Sequence, residues 1–215
     1  LFEATYPDSA SHARSWNTLD ERLNAIPGQQ GAALTSVLPG FWGSYQNFAV
    51  EGKTYATEQD YPATRQVAVT PTWFPTFGVK AIEGRLLGPG DIGGALPVAV
   101  VTQGFANAAF AGGSPVGQRI RFGGPETKEP WLTVIGVIPD VWFDGTENKD
   151  ALRKAVITPI AQGDYRFLSI AVAAKGDPMA LAAPVQEAVS GIDPDQPIYF
   201  VRTLAQAIEQ SGWFY

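Results

Sequence analysis

The sequence predicts a mixed α/β fold, and three observations predict it. Short apolar runs rich in β-branched residues recur along the chain, with Val67-Ala68-Val69 and the run at 97–102 as the clearest. Between them lie segments whose apolar residues return every three or four positions, the spacing of one helical face. The composition, 215 residues with 45% hydrophobic and 12% aromatic content, suffices to bury one sizeable core or two small ones.

Taken in order, residues 1–14 are polar and punctuated, and are expected to be loosely ordered. From 15 to 26, Trp16, Leu19, Leu23 and Ile26 share one helical face while Asp20, Glu21 and Arg22 face water; Pro27-Gly28 ends that helix. Residues 32–38 read as a strand broken by Pro39-Gly40, and 48–50 as another, turned by Glu51-Gly52. Residues 60–65 read as loop.

The stretch 66–94 is the densest in signals. Its first strand stops at Thr70-Pro71-Thr72. A helix of one or two turns follows, with Thr72 as N-cap, Pro75 in the first turn and Gly78 in the left-handed conformation that closes it. The chain then extends through Val79, Ala81 and Ile82 into Gly84-Arg85. The strand at 97–102 has no polar face and should be buried on both sides. Thr102 caps a helix at 103–111 that shows Phe105, Ala106, Ala109 and Phe110 on one face, with Gly112-Gly113 closing it. Residues 118–122 and 131–137 alternate as half-buried strands, 144–150 is loop, and 155–160 and 167–173 are strands.

Asp177-Pro178 opens a helix over 177–190 with Leu181, Val185, Val189 and Ile192 buried and a bend at Pro184; Asp193-Pro194-Asp195 ends it. Residues 198–201 read as a strand, and Thr203 to Gln206 has the spacing of a capping box for a final helix.

A net charge of −6 and a pI near 4.8, with no cluster of Lys and Arg, exclude nucleic acid as an expected partner. The absence of cysteine fits a periplasmic protein without disulfides and equally a cytosolic one. No apolar run approaches the length of a membrane span, and nothing at the start has the order of a signal peptide. The chain opens at Leu1 without a methionine and is read as a fragment.

Motifs that carry chemistry are incomplete. Gly88 to Gly93 satisfies the GxGxxG spacing, but a dinucleotide site needs a strand before it and a helix after it, and here a strand follows. Gly112 to Gly117 has phosphate-loop spacing yet continues Gln118-Arg119, without the phosphate-reaching lysine, and reads as a turn. His12, the single histidine, is expected to be solvated. Asp193 and Asp195 read as turn formers rather than an acid–base pair. Arg85 and Asp91 either bind a charged ligand or tie down the glycine-rich loop, the second being the expected role. Trp73, Phe74 and Phe77 read as core. Phe41-Trp42, between two glycines, reads as an exposed aromatic pair and hence a possible contact surface.

Four passages, VTPTWFPTFGVKAIEGRLL, PVAVVTQGFANAAFAGGSPVGQRIRFG, WLTVIGVIPDVW and DPMALAAPVQEAVSGIDPDQPIYFVRTLAQAI, resemble the MacB-type periplasmic core domain of ABC-transporter permeases, the MacB/FtsX-like family, across about 14–211. The matching positions that weigh most are Gly84, Arg85, Asp91, Gly117 and Asp140.

The resemblance implies an α+β, two-lobed extracytoplasmic domain set between two membrane-spanning helices. One lobe, porter-like and discontinuous, would comprise 15–78 and 164–205; the other, inserted and strand-rich (sabre-like), 79–163. Residues 1–14 and 206–215 would be membrane-proximal, with Trp213, Phe214 and Tyr215 either at the headgroup region or packed on the domain. Implied partners are the membrane, an ABC ATPase subunit or domain, a periplasmic adaptor or substrate protein, and a second copy in the full transporter. No catalytic residue, metal or cofactor is expected in this chain, with ATP bound elsewhere. The other readings of the sequence are a stand-alone secreted hydrolase and a soluble ligand-binding module.

Overall fold

The computed structural model describes residues 5–41, 45–111, 113–143 and 154–211. Trp42, Trp213, Phe214, Tyr215 and the loop expected at 144–150 lie outside the described residues.

Asp8 and Ser11 decide where the first helix begins. The Asp8 carboxylate accepts from the Ser11 N–H at 2.7 Å, and the Asp8 N–H donates to the Ser11 hydroxyl at 3.2 Å, a reciprocal capping box. Helix α1 (Ser9–Asn24) therefore starts inside the stretch expected to be loosely ordered. Capping residues are polar by necessity, so a helix start made of them carries no apolar periodicity to read. Such a cap contributes about 1 kcal/mol, whereas burying Leu19 and Leu23 contributes roughly 2 kcal/mol each. The cap sets the boundary and the packing holds the helix.

Among the described residues nine strands follow: β1 (Gln29–Thr35), β2 (Tyr45–Val50), β3 (Ala63–Val69), β4 (Glu83–Gly84), β5 (Val98–Thr102), β6 (Arg119–Phe122), β7 (Leu132–Ile138), β8 (Ala155–Pro159) and β9 (Ser169–Ala174). Helices α2 (Trp73–Thr76), α3 (Gln103–Phe110), α4 (Ala182–Ser190) and α5 (Leu204–Ser211) complete the set. The strands pair in the order β2-β6-β7-β5-β8-β3, and β2 also pairs with β3, which closes these six into a ring. β1 joins β3 through the Thr35 to Val69 pair and carries β9 on its other side, while β4 pairs with β7. Strands on both sides of residue 78 thus share one sheet.

β5 lies between β7 and β8, and all five of its residues are buried, as its unbroken apolar run requires. Ala99 and Val101 meet Phe105, Ala106 and Ala109 of α3 in one core cluster; Val98 and Val100 meet Trp73, Phe74 and Ile157 in another. A third cluster joins Trp16, Leu19 and Leu23 of α1 to Leu181, Val189 and the β1–β9 face.

Several elements differ from expectation, each for a physical reason. β3 begins at Ala63, because 63–65 pair with β2 although the sequence there is polar. The extended run after Gly78 pairs only at Glu83–Gly84. α3 closes through Ala111, at φ 48°, rather than through a described glycine. The helix from 177 starts as a 3-10 turn (Pro178–Leu181) and becomes α-helical at Ala182, since Pro184 has no N–H to close the α-helical bond back to residue 180. Thr72 precedes α2 but makes no capping bond; its hydroxyl donates to Asp20 at 2.8 Å. Residues 198–201 form no strand.

Candidate contact surface

The positions singled out by resemblance are engaged by partners within the chain, although Gly84, Arg85 and Gly117 are exposed. Arg85 donates from both terminal nitrogens to the two oxygens of Asp91, each at 2.7 Å, and Asp91 also accepts the Gly88 N–H at 2.8 Å. This bidentate pair stitches the glycine-rich loop closed. The Arg85 hydrogen bonds hold the Asp91 carboxyl below the usual carboxylate range, against the opposing effect of burial. Gly84 has φ 68°, and a Cβ there would meet the Ile135 carbonyl oxygen at 2.2 Å. Gly136 opposite is equally crowded, its absent Cβ lying 2.1 Å from the Arg85 carbonyl oxygen, so β4 and β7 approach as only two glycines allow. Gly117 takes φ 88° in the turn before β6 and donates to Val134 O at 2.8 Å. The Asp140 carboxylate accepts the Gly104 N–H at 2.7 Å and, with the Thr102 hydroxyl taking the Phe105 N–H at 3.4 Å, caps α3.

His12 corrects an expectation. It is 1% exposed, with Nδ1 at 2.5 Å from Asp164 Oδ1 and Nε2 at 3.0 Å from Tyr6 O. The early start of α1 places it on the buried side of a helix instead of in a solvated tail. Asp193 Oδ1 accepts the Asp195 N–H at 3.0 Å, the turn-forming role expected of it.

Phe41, expected to be exposed, is half-buried against the core cluster of Trp73 and Phe74, and it leads to an apolar surface that these pairings do not consume. The Arg202 guanidinium lies 5.7 Å from the Phe41 ring centroid and 5.6 Å from that of Phe200, within cation–π range of both. Gly40 faces Ile208 of α5 and donates its N–H to Trp142 O at 2.8 Å. Around this junction Tyr199 is 69%, Phe200 84% and Val201 51% exposed, and Trp142, Leu204 and Ile208 are exposed as well. Phe200 has φ 56°, a left-handed conformation unusual for an aromatic residue. The Thr203–Gln206 capping box forms as the sequence predicts and starts α5 just beyond it. Sequence reasoning singled out Phe41 but read 198–201 as a strand; a run of Ile-Tyr-Phe-Val carries that signal whether or not a neighbouring strand accepts it.

The chain matches a known class, the MacB-like periplasmic core domain, whose family pattern covers residues 5–192. The chain belongs to that family, and it is a periplasmic domain of the ABC-permease type. Comparison with curated protein sequences gives no match. Among solved structures, it is similar to the periplasmic region of MacB from Actinobacillus actinomycetemcomitans, with TM-score 0.61 and 18% identity over 93% of this chain and 83% of that one. It is also similar to the extracellular domain of the ABC-type transporter YknZ from Gram-positive bacteria, with TM-score 0.53 and 13% identity over 80% and 81% of the two chains. A domain of a permease protein from Porphyromonas gingivalis gives TM-score 0.53 and 17% identity over 88% and 83%. At such identities the likeness extends to the fold alone.

Proposed function

We propose that this domain performs no chemistry and binds no nucleotide or metal, and that it passes conformational change, driven by ATP hydrolysis in a cytoplasmic domain or subunit, to a periplasmic substrate or partner protein. The observation that carries the reading is the contrast within a chain of this family: Arg85, Asp91, Asp140 and Asp193 are spent on internal bonds, while Tyr199 and Phe200, beside Arg202 and α5, present an exposed aromatic surface. Aromatic residues and arginine are the side chains that concentrate binding energy at protein interfaces. On this reading, the segment around α5 returns the chain toward the membrane and the two lobes implied by the resemblance move relative to one another.

The test uses the whole permease with its ATPase, reconstituted in lipid nanodiscs and spin-labelled at Tyr199 and at Glu126 in the β6–β7 connection. The distance distribution should change between the nucleotide-free and the ATP-trapped states. An unchanged distribution under turnover defeats the relay. Saturable nucleotide binding or stoichiometric zinc in the purified chain defeats the claim that it has no chemistry of its own.

A further inference from the structure

The outer edge of β9 and the segment 198–201 have complementary needs. Leu34 turns its backbone away from β9, donating its N–H to the Thr70 hydroxyl at 3.1 Å and accepting the Thr70 N–H at 3.0 Å. Ala32 does the same toward Asn24, with bonds of 3.2 and 3.0 Å. In an antiparallel ladder, residues opposite one another point their backbone groups either both inward or both outward. Ile170 and Val172, opposite Leu34 and Ala32, therefore direct N–H and C=O to the far edge of β9. Among the described residues no strand pairs there, and the strand SIAVAA holds neither proline nor charge to guard it.

The chain is already threaded to fill that edge. After β9 it climbs through α4 over the sheet face and returns beside the start of β9: Asp193 and Gln196 line one recess with Ser15 and Trp16, and Trp16 Nε1 donates to Tyr165 O at 2.7 Å. Ile198 packs into the same core cluster as Ile170 and Val172. A strand, a crossover helix and a parallel strand beside the first is the commonest way such a chain continues, and Ile-Tyr-Phe-Val has the side chains that strands favour. Four residues span about 13 Å of edge at roughly 3.3 Å each.

We propose that residues 198–201 are a strap with two seats. In the seat observed, Arg202 stacks on Phe41, Ile208 lies against Gly40 and Phe200 holds φ 56°. In the second, the strap lies parallel along β9, with Ile198 and Phe200 toward α1 and α4 and Tyr199 and Val201 on the opposite face. The seats exclude each other, because extending 198–201 along β9 carries Arg202 and α5 away from Phe41. The strap deepens the relay proposed above by naming a two-state element within it, yet it is a property of this chain by itself.

The chain has no cysteine, so pairs can be introduced cleanly. Ala171→Cys with Tyr199→Cys reports the β9 seat, and this pair should form a disulfide under mild oxidation of the purified chain. Adding Phe200→Val, a β-branched residue that resists positive φ, should raise the 171–199 yield several-fold; Phe200→Gly should lower it. In the cysteine-free chain, the Ile170 and Val172 amides should exchange about fivefold more slowly with Phe200→Val than with Phe200→Gly, a readout free of any folding effect of the cysteines. Failure of the 171–199 pair to cross-link in a chain with an intact thermal transition overturns the strap, as does exchange at Ile170 and Val172 indifferent to residue 200. No ATPase is present in these measurements, so a failed strap leaves the relay standing, and a failed relay leaves the strap.

Discussion

The loop at 84–91 and the segment at 198–208 are both rich in turn-forming or aromatic signals, yet the structure treats them oppositely. In the first, every conspicuous group finds a partner within a few residues or on the adjacent strand: Arg85 on Asp91, Gly88 on Asp91, Gly84 on Gly136. In the second, rings and aliphatic side chains remain in solvent, and one aromatic residue adopts a left-handed backbone conformation. The difference teaches that a family-marking motif can be architecture while the working surface lies where the local signals go unanswered.

The sharpest way to break this contrast is to crowd the first region. A side chain at Gly136 would drive its Cβ into the Arg85 carbonyl oxygen, 2.1 Å away, a backbone atom that cannot swing aside. We predict that Gly136→Val destabilises the chain by at least about 3 kcal/mol, read as the shift in urea midpoint. A variant as stable as the parent would mean that the β4–β7 approach is loose and that the region is not the rigid one.

Next in size is His12→Ala. It removes the partner of the Tyr6 carbonyl and of the exposed Asp164 carboxylate and leaves a cavity where the buried ring stood, and it should cost about 2 kcal/mol. A change under about 0.5 kcal/mol, the range of ordinary surface substitutions, would restore the solvated histidine that the sequence suggests.

That residue shows where sequence reading runs out. Elements whose identity is set by side chains close in sequence were legible: the helix face of Trp16, Leu19 and Leu23, the fully buried β5, the Thr203 capping box and the Arg85–Asp91 tie. Elements set by distant partners were not. Gly136 looks like any strand glycine until β4 is laid against it, and His12 looks solvated until Asp164, far along the chain, is brought beside it. The strand expected at 198–201 is absent for a related reason: β-propensity is expressed only where the chain is laid along an edge, and here the segment leads to Phe41 and Gly40 instead. The closure of six strands into a ring, through the second pairing of β2, has no local signature at all.

A smaller effect sharpens the same contrast through pH. Asp91→Asn removes the charge that Arg85 grips, and because the Arg85 side chain is 54% exposed, solvent screening limits the loss to about 1 kcal/mol at neutral pH. The folded-state carboxyl is held below its unfolded value, so its contribution is present above the unfolded carboxylate pKa, near 3.9, and fades as pH falls through the lower folded value. Denaturation curves of parent and variant should therefore differ at pH 7 and converge as the pH drops below about 4. A gap that persists unchanged into acid would mean that the bond geometry, rather than the charge, closes the loop.

The smallest predicted change lies in the second region and has the opposite sign. Phe200 is 84% exposed, so truncating its ring forfeits little burial, while φ 56° costs an ordinary residue about 1–2 kcal/mol. Glycine escapes that cost but adds about 0.5–1 kcal/mol of backbone entropy to the unfolded chain. The difference leaves Phe200→Gly more stable than the parent by roughly 0.5 kcal/mol, a rise in thermal midpoint of one or two degrees for a chain of this size. Stabilisation by removing an aromatic residue is uncommon. It is expected here because the ring is kept in solvent at the expense of the backbone, which is what a surface retained for a partner or for a second seat requires. A clear loss of stability in Phe200→Gly would show instead that the ring is packed, and the contrast between the two regions would dissolve.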